Sequence, residues 1–161
     1  MADRRPILLG MADPHSDDPR HALAPDPPGC SGWRLWKMLY EARGVEKDEY
    51  LVRFDRRNLC GGRSWDADAA VIRGRELAAT LAGSGRTVVA LGQRVWWALG
   101  FKRVPAPKPA SSVHSNGCRW IYLPHPSGMN VWYNDALNRW TAGALLAELL
   151  INSGDETRAA S

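Results

Sequence analysis

The chain has 161 residues, of which 45% are hydrophobic and 24% are charged, and its formal net charge is +4. This length suits one domain with its own core, and the hydrophobic fraction argues against overall disorder. No apolar run approaches the roughly 18 to 20 residues that a membrane span requires, and the N-terminal apolar run is too short for a signal peptide. The small positive charge is compatible with a nucleic-acid partner but does not by itself indicate one.

The first predicted elements are a strand, a long loop and a helix. The apolar run "PILLG" at residues 6–10 predicts a buried strand. The proline-rich loop 11–30 follows, and loops of this length are often functional. Ser31 is expected to cap the next helix. Four residues are predicted to lie near one face of that helix: Trp33, Trp36, Leu39 and Tyr40.

The middle of the chain predicts two more strands around a helix. Residues 50–60, "YLVRFDRRNLC", alternate well enough for a second strand, which runs into a Gly-Gly turn. Ser64 or Asp66 begins a helix that ends near the "GSG" at 83–85. The helix is predicted to bury Ala70, Val71, Leu77 and Leu81. The β-branched run "TVVAL" at 87–91 predicts a buried parallel strand.

The last third predicts a short helix from Gly92, a flexible connector at 105–112 and a fourth strand at 119–123. Asn134 or Asp135 then offers a side-chain oxygen to cap the final helix. The buried face of that helix is predicted to contain Leu137, Trp140, Ala144, Ala147 and Ile151. We expect one domain over residues 1–152 and a flexible C-terminal tail over 153–161.

Strands that alternate with helices predict an α/β fold, here a three-layer α/β/α sandwich with a four-stranded, mainly parallel sheet. Ligands of such sheets bind beyond the carboxyl ends of the strands. Three marked loops follow predicted strands there: "GMADPHSDDP", "NLCGG" and "PHPSGMN". The last loop holds His125 between two prolines, which stiffen it. A lone histidine is most often an ordinary surface residue, but the convergence of three such loops favours a functional one.

The three cysteines are odd in number and widely spaced, which argues against a disulfide framework and favours a reducing, cytoplasmic setting. His114 and Cys118 have the spacing of metal ligands on a helix, but Gly117 and the loop composition disfavour that interpretation. We therefore expect neither a metal nor a cofactor.

Over nearly its whole length the chain resembles the uracil-DNA glycosylase superfamily. "LLGMADPH" is similar to the family's first motif, which varies around Gly-x-Asp-Pro, and "LPHPSGMN" is similar to its second, His-Pro-Ser followed by an intercalating loop. "RRNLC" resembles the segment with the base-reading asparagine, "VVALGQRVWWALG" the third strand and its helix, and "SGWRLWKML" a segment of the mismatch-specific branch. "HPSG" in this context is fairly specific, whereas the first motif alone would be weak.

The resemblance implies an enzyme that extrudes a nucleotide from DNA and hydrolyses its glycosidic bond. It assigns Asn58 to reading the O4/N3–H edge of a uracil-like base, because one amide offers both an acceptor and donors. The alternative for Asn58 is a turn-forming residue before Gly-Gly. His125 would donate to the base O2 as negative charge develops there.

The same resemblance implies contacts with the DNA strand. Ser127 and the nearby backbone of Gly128 and Asn130 would hold phosphate, together with Arg34. Met129 would be the apolar wedge that fills the gap left in the base stack, or else an ordinary buried methionine.

The first motif leaves two positions open for the group that orients water or stabilises the sugar cation. Asp13 offers the required carboxylate, but "GMADP" has one residue more than Gly-x-Asp-Pro, so Ala12 can occupy the family position instead. Asp17 and Asp18 are further carboxylates, for which turn and capping roles are the better interpretation.

Two departures from the family bear on the base pocket. His15 stands where several branches place an aromatic residue against C5 of the base, which suggests a 5-substituted pyrimidine such as 5-hydroxymethyluracil, or a hydrogen bond from the imidazole. The usual stacking phenylalanine is absent, so His21, Leu23 or a tryptophan from elsewhere has to replace it. The iron–sulfur branches need four cysteines, and no cluster is expected.

The sequence thus predicts a monomeric, monofunctional DNA glycosylase that acts on uracil or a 5-substituted uracil and has no membrane partner. Two other functions stay open on the same fold: a non-hydrolytic nucleic-acid or base-binding protein, and a transferase of DNA base modification. Most of the basic residues in or near the proposed DNA-binding face are expected to be ordinary solvated charges, with only a clustered subset in contact with phosphate. These residues are Arg34, Lys37, Arg56, Arg57, Arg63, Lys102, Arg103 and Lys108.

Overall fold

A computed structural model describes residues 2–104 and 112–159, with side chains as far as residue 153. The strands are β1 (Ile7–Gly10), β2 (Asp55–Asn58), β3 (Thr87–Leu91), β4 (Ser112–Ser115) and β5 (Cys118–Leu123). The helices are α1 (Ser31–Arg43), α2 (Lys47–Arg53), α3 (Ala67–Leu81), α4 (Gln93–Ala98) and α5 (Ala136–Ala159). Two 3₁₀ turns lie at Pro19–His21 and Val131–Asn134.

The sheet has five strands in the order β2-β1-β3-β5-β4, and every pair is parallel except the antiparallel edge pair β4–β5. The predicted α/β class is confirmed, but the sheet is five-stranded and mixed rather than four-stranded. The extra strand comes from a hairpin at Asn116 and Gly117, whose φ angles of 53° and 71° are those that a tight two-residue turn requires. His114 therefore lies on a strand and not on a helix. Residues 105–111 of the predicted connector lie outside the described part of the chain.

Successive residues of the central strands point into two separate cores. Leu8 and Val89 pack with residues of α1 and α5 on one face of the sheet. Ile7, Leu9 and Val88 pack with residues of α3 and α4 on the other. Because β1 and β3 are buried on both faces, their sequences are continuously apolar rather than alternating, as expected for central parallel strands.

The predicted strand over residues 50–60 is wrong in its first part, where the chain forms α2. Asp48 and Glu49 in the first turn and Arg53 in the last favour a helix through its macrodipole. Tyr50 is the buried residue of α2, and the strand begins only at Asp55. The alternation that predicted a strand reflects one buried side of a short helix.

The predicted cap of α1 is wrong, and the four residues predicted to share a face differ in burial, with only Leu39 fully buried. The N-cap is Cys30, whose Sγ accepts from the backbone N–H of Trp33 at 3.4 Å, rather than Ser31. The buried residues of α1 are Gly32, Leu35, Met38 and Leu39. Trp33 and Trp36 are half-buried and Tyr40 is 46% exposed. A Cβ at Gly32 would collide with the carbonyl groups of Leu23 and Ala24, so this glycine lets α1 pack against the loop after β1.

The buried face of α5 is also rotated from the prediction. Leu137, Trp140 and Ile151 are 67%, 52% and 57% exposed, while Ala144 and Ala147 are buried as predicted. The remaining buried residues of α5 include Ala142, Leu146, Leu149 and Leu150. A Cβ at Gly143 would collide with the Met38 carbonyl, so the small residues face α1 and the large residues at 137 and 140 point to solvent.

The observed caps of α3 and α5 and the end of α5 agree with the prediction only in part. Asp66 caps α3 and Asp135 accepts from the Leu137 N–H at the start of α5, so one of the two predicted caps is right in each case. Val71 of α3 is 37% exposed rather than buried. Helix α5 continues to Ala159, past the predicted boundary at 152, and residues 160–161 lie outside the described range. None of the helices in the described residues has the length and apolar character needed to cross a bilayer.

Candidate functional site

The loop after β1, the start of α1, the last residue of β2 and the loop after β5 meet at the carboxyl end of the sheet and line a cleft of about 520 Å³. Seven of the predicted site residues line it: Ala12, Asp13, His15, Leu23, Asn58, Ser127 and Gly128. This is the crevice that a parallel sheet offers to ligands. The position of the site was therefore predictable from the strands that precede these loops.

Asn58 lies at the end of β2, beside Gly10 at the end of β1. The Leu59 N–H donates to the Gly10 carbonyl at 2.9 Å, which ties the two strand ends together. A Cβ on residue 10 would lie 2.6 Å from Asn58 Oδ1, so the glycine leaves the room that the amide occupies. Among the described residues the Asn58 amide has no hydrogen-bond partner, and both its donor and its acceptor are available to a ligand.

The far wall of the cleft is the loop around Leu23, a non-glycine residue with a φ of 50°. Two buried or half-buried side chains hold this loop from below. Tyr50 Oη donates to the Leu23 carbonyl at 2.9 Å, and Arg56 Nη1 donates to the Ala22 carbonyl at 2.6 Å. Sequence reasoning missed both roles, because neither residue is near Leu23 in the chain.

Asp13 and Ala12 both line the cleft, so the loop after β1 does bring a carboxylate to it. Asp13 Oδ1 accepts from the His15 backbone N–H at 2.9 Å, a local turn that fixes the side chain. Its Oδ2 has no partner within the described residues. Asp18 has the capping role expected of it, since it accepts from the Arg20 N–H at the start of a 3₁₀ turn. Asp17 instead forms an ion pair with Arg63 at 3.4 Å.

Ser127 and Gly128 form the opposite rim of the cleft. Arg34 Nε donates to the Gly29 carbonyl at 3.1 Å, and its guanidinium lies against Gly128, where a Cβ would be 2.7 Å from Nη2. Met129 is 93% exposed, so the alternative of an ordinary buried methionine is wrong. Asn130 does not line the cleft; its Oδ1 accepts from the Trp132 N–H at 3.0 Å.

His125 occupies a neighbouring cavity of about 420 Å³ rather than the cleft that contains Asn58. Gly92, with a φ of 97°, lies against it, and a Cβ there would be 3.1 Å from His125 Cβ. Burial, and then the positive charge of Arg94, lower the pKa of the imidazole below its usual value of 6.5. Tyr133 Oη donates to the Pro124 carbonyl at 2.7 Å and so anchors the stiff loop, a role that the sequence did not indicate.

Several of the predicted DNA-binding cations are used within the protein. Arg56 binds loop carbonyl groups, and Arg57 donates to Asp55 at 2.7 Å. Lys108 lies outside the described residues. Lys37 and Arg34 remain at the surface beside the rim of the cleft. The expectation that only a subset of these basic residues is available to DNA therefore fits the structure, and the fold decides which residues are paired within the protein.

Among the described residues, no Phe, Tyr or Trp side chain lines the cleft, so of the possible stacking residues His21 and Leu23 line it and no tryptophan does. Within the described part of the chain, no three His, Cys, Asp or Glu side chains are close enough to hold a metal ion. No protein-family model matches the chain, and a search of curated proteins found no significant match.

Proposed function

We propose that the chain is a DNA glycosylase that hydrolyses the glycosidic bond of uracil, or of a 5-substituted uracil, extruded from DNA. The observation that carries the proposal is the unpartnered amide of Asn58 at the end of β2, in a cleft rimmed by Asp13 and Ser127. An amide fixed on a strand end is suited to reading a Watson–Crick edge. The helices on both faces of the sheet fit the three-layer sandwich that the resemblance implies.

The chemistry needs charge stabilisation on both sides of the breaking bond. Asp13 supplies a carboxylate, through its free oxygen, to hold a water or to stabilise the sugar cation. His125 supplies a neutral imidazole N–H for the oxygen of the departing base, because its lowered pKa disfavours the charged form. His125 lies in the adjacent cavity. This role therefore requires a base that is bound in the cleft to extend past the residues that separate the two cavities.

The DNA strand would be held at the rim. Ser127 and the backbone at Gly128 are positioned for a phosphate, with Arg34 directly behind them. Met129 projects into solvent next to them, as a side chain that inserts into a base stack must. His15 at the exposed side of the cleft leaves room for a substituent at C5. We further propose that the protein acts as a monomer in the cytoplasm.

The test is excision from single- and double-stranded oligonucleotides that carry uracil, 5-hydroxymethyluracil, hypoxanthine or a thymine mismatch, followed by alkaline cleavage. We expect abasic product from uracil or 5-hydroxymethyluracil. Asp13→Asn and His125→Ala should each reduce the rate by roughly 10²-fold or more. A small effect of Asp13→Asn would assign the family position to Ala12 instead.

A second candidate is a binding protein on the same fold that does not hydrolyse the bond. The separation of His125 from the Asn58 cleft favours it, because a binding site needs the amide but not the histidine. Binding of uracil-containing DNA with no abasic product on any substrate would favour this candidate over the glycosylase.

A further inference from the structure

A second groove, of about 320 Å³, lies between α1 and the segment 126–134. We call it the α1 groove; its lining includes Trp33, Arg34, Lys37, Ser127, Gly128 and Arg139. Ser127 and Gly128 also line the cleft, so the two cavities share one rim. Because of this shared rim, a strand with one nucleotide in the cleft can extend into the α1 groove.

We propose that the α1 groove binds the nucleotide that flanks the extruded one on the same DNA strand, with its base on Trp33 and its phosphates on Arg34 and Lys37. This inference rests on the proposed function, because it takes the cleft as the place of the extruded nucleotide. No sequence motif assigned a ligand to this groove as a whole.

The side chains of the α1 groove combine what a single strand needs, a flat apolar surface with cations beside it. Lys37 Nζ lies 4.7 Å from the centroid of the Trp33 ring, one helical turn away on α1. The Lys37 side chain is 47% exposed, so an incoming base can displace its ammonium from the ring towards a phosphate. Glu41 is the one carboxylate among the residues that line the groove, and it lies 3.9 Å from Lys37.

The other two cations are held in place by backbone groups. Arg34 donates through Nε to Gly29 and rests against Gly128, which leaves its terminal nitrogens at the rim that the two cavities share. Arg139 Nη1 donates to the carbonyl groups of Tyr133 and Asn134 at 2.7 and 3.0 Å, which shapes the far wall and adds positive charge there. Three cations against one carboxylate favour an anionic backbone.

The chain offers a matched control outside the groove. Arg43 lies over the ring of Trp140 at 5.7 Å, which gives a second pair of an arginine or lysine with a tryptophan that involves α1. Trp140 is 52% exposed, and neither residue lines the groove or the cleft. Substitutions in this pair remove the same chemistry at a place that the strand does not reach.

The experiment measures fluorescence anisotropy of labelled single-stranded oligonucleotides that carry one 2′-fluoro-deoxyuridine, whose fluorine destabilises the sugar cation and so suppresses cleavage. A second set of oligonucleotides is truncated next to that nucleotide on either side. We expect truncation on one side to weaken binding by the wild type about tenfold, the loss of one stacked base. Trp33→Ala should weaken binding of the full-length oligonucleotide by a similar factor. The affinity of this variant should be the same for the full-length oligonucleotide and for the oligonucleotide truncated on that side.

Two more variants extend the test. Lys37→Gln should reduce the salt dependence of binding by about 0.7 in the log–log slope, the contribution of one phosphate contact on a single strand. Gly128→Ala should weaken binding because its Cβ displaces the Arg34 guanidinium, while thermal unfolding shows that the protein stays folded. Trp140→Ala and Arg43→Gln should bind like the wild type.

The inference is overturned if binding by Trp33→Ala still depends on the flanking nucleotide, or if Trp140→Ala loses as much affinity as Trp33→Ala. It is also overturned if the wild type binds neither the full-length nor the truncated oligonucleotides. Its failure is distinguishable from failure of the proposed function. A flanking-nucleotide effect that depends on Trp33, in a protein that releases no base from any substrate, supports the groove and contradicts the glycosylase.

Discussion

The side-chain amide of Asn58 fills the space left by the missing side chain of Gly10. The two residues are register partners on β2 and β1, and a Cβ at residue 10 would lie 2.6 Å from Asn58 Oδ1 and 3.2 Å from Leu23 Cδ2. The glycine thus sets the position of the amide and of one wall of the cleft. Gly10 is also the last residue of the apolar run that predicted the first strand. The same residue therefore ends β1 and leaves space for the Asn58 side chain in the cleft.

Gly10→Ala should therefore impair function more than folding. The added methyl group displaces the Asn58 side chain, and loss of its hydrogen bonds to a buried base edge should lower excision of uracil at least about tenfold. Gly62→Ala is the matched control, because a Cβ at residue 62 meets no atom within 4 Å. Equal excision rates for Gly10→Ala and the wild type would contradict the role of Asn58 at this position.

Tyr50→Phe should destabilise the protein through the loop at Leu23. Tyr50 is fully buried, and its hydroxyl donates to the Leu23 carbonyl at 2.9 Å. Removal of the hydroxyl leaves that carbonyl without its donor and should lower the free energy of unfolding by about 1 to 2 kcal/mol in urea denaturation. Tyr40→Phe, at an exposed position on α1, should change the free energy of unfolding by less than about 0.5 kcal/mol. Indistinguishable values for the two variants would show that the Tyr50 hydroxyl does not hold the loop.

The imidazole of His125 should titrate below its ordinary value. Burial and then Arg94 lower its pKa, so protonation disfavours the folded state. The stability that the neutral form contributes is present above about pH 6.5, the usual histidine value, and is lost as the pH falls through the lowered pKa. The measurement is an NMR titration, with the His125 resonance assigned from His125→Ala. Arg94→Gln should raise the pKa of His125 but not restore it to the usual value, because the burial remains. A pKa of 6.5 or above in the wild type would contradict the lowering by burial and by Arg94.

Stability in acid should depend on Asp55. Burial raises the pKa of its carboxyl, but hydrogen bonds from Arg57 and Arg86 outweigh burial and lower it. The pair with Arg86 is 2.9 Å long and largely buried. Its stabilisation is therefore present above the unfolded pKa of about 3.9 and lost as the pH falls through the lower folded value.

Asp55→Asn should make the free energy of unfolding less dependent on pH below about pH 4, and should lower it at pH 7 because Arg86 loses its buried partner. Chemical denaturation between pH 3 and pH 7 measures both effects, with Asp68→Asn at an exposed position on α3 as the control. The same pH dependence in Asp55→Asn and the wild type would assign the acid sensitivity to other groups.

The buried strands were predictable because their signal is local. β1 and β3 are apolar runs closed by glycine, and the structure places them within a residue of the predicted bounds. The edge strand β4 was not predicted, because its residues alternate between exposed and half-buried and only one of them is hydrophobic. Its turn, Asn116-Gly117, is a known hairpin signal that the sequence reasoning passed over.

The helix faces were less predictable because contacts distant in sequence decide them. Trp33 on α1 is only half-buried and Trp140 on α5 is 52% exposed, because a neighbouring backbone approaches the faces that contain Gly32 and Gly143. A large apolar residue at helical spacing favours burial in the sequence but cannot show which side the neighbouring backbone occupies.

The cleft itself followed from parallel topology, which brings the ends of β1, β2 and β5 to one edge of the sheet. The side chains that support the cleft could not be predicted in this way, because Tyr50, Arg56 and Tyr133 donate hydrogen bonds to residues of other loops. The separation of His125 from Asn58 likewise depends on how the two loops pack at Gly92, which no motif records.

The most direct test of the proposed function is excision of uracil and 5-hydroxymethyluracil from oligonucleotides by the wild type and by Asn58→Ala, with Asn138→Ala as the control for loss of an asparagine outside the cleft. We predict abasic sites with the wild type and with Asn138→Ala, and at least about a hundredfold slower release with Asn58→Ala, since the base loses two paired hydrogen bonds in a desolvated site. No abasic product from the wild type on either base would contradict the account.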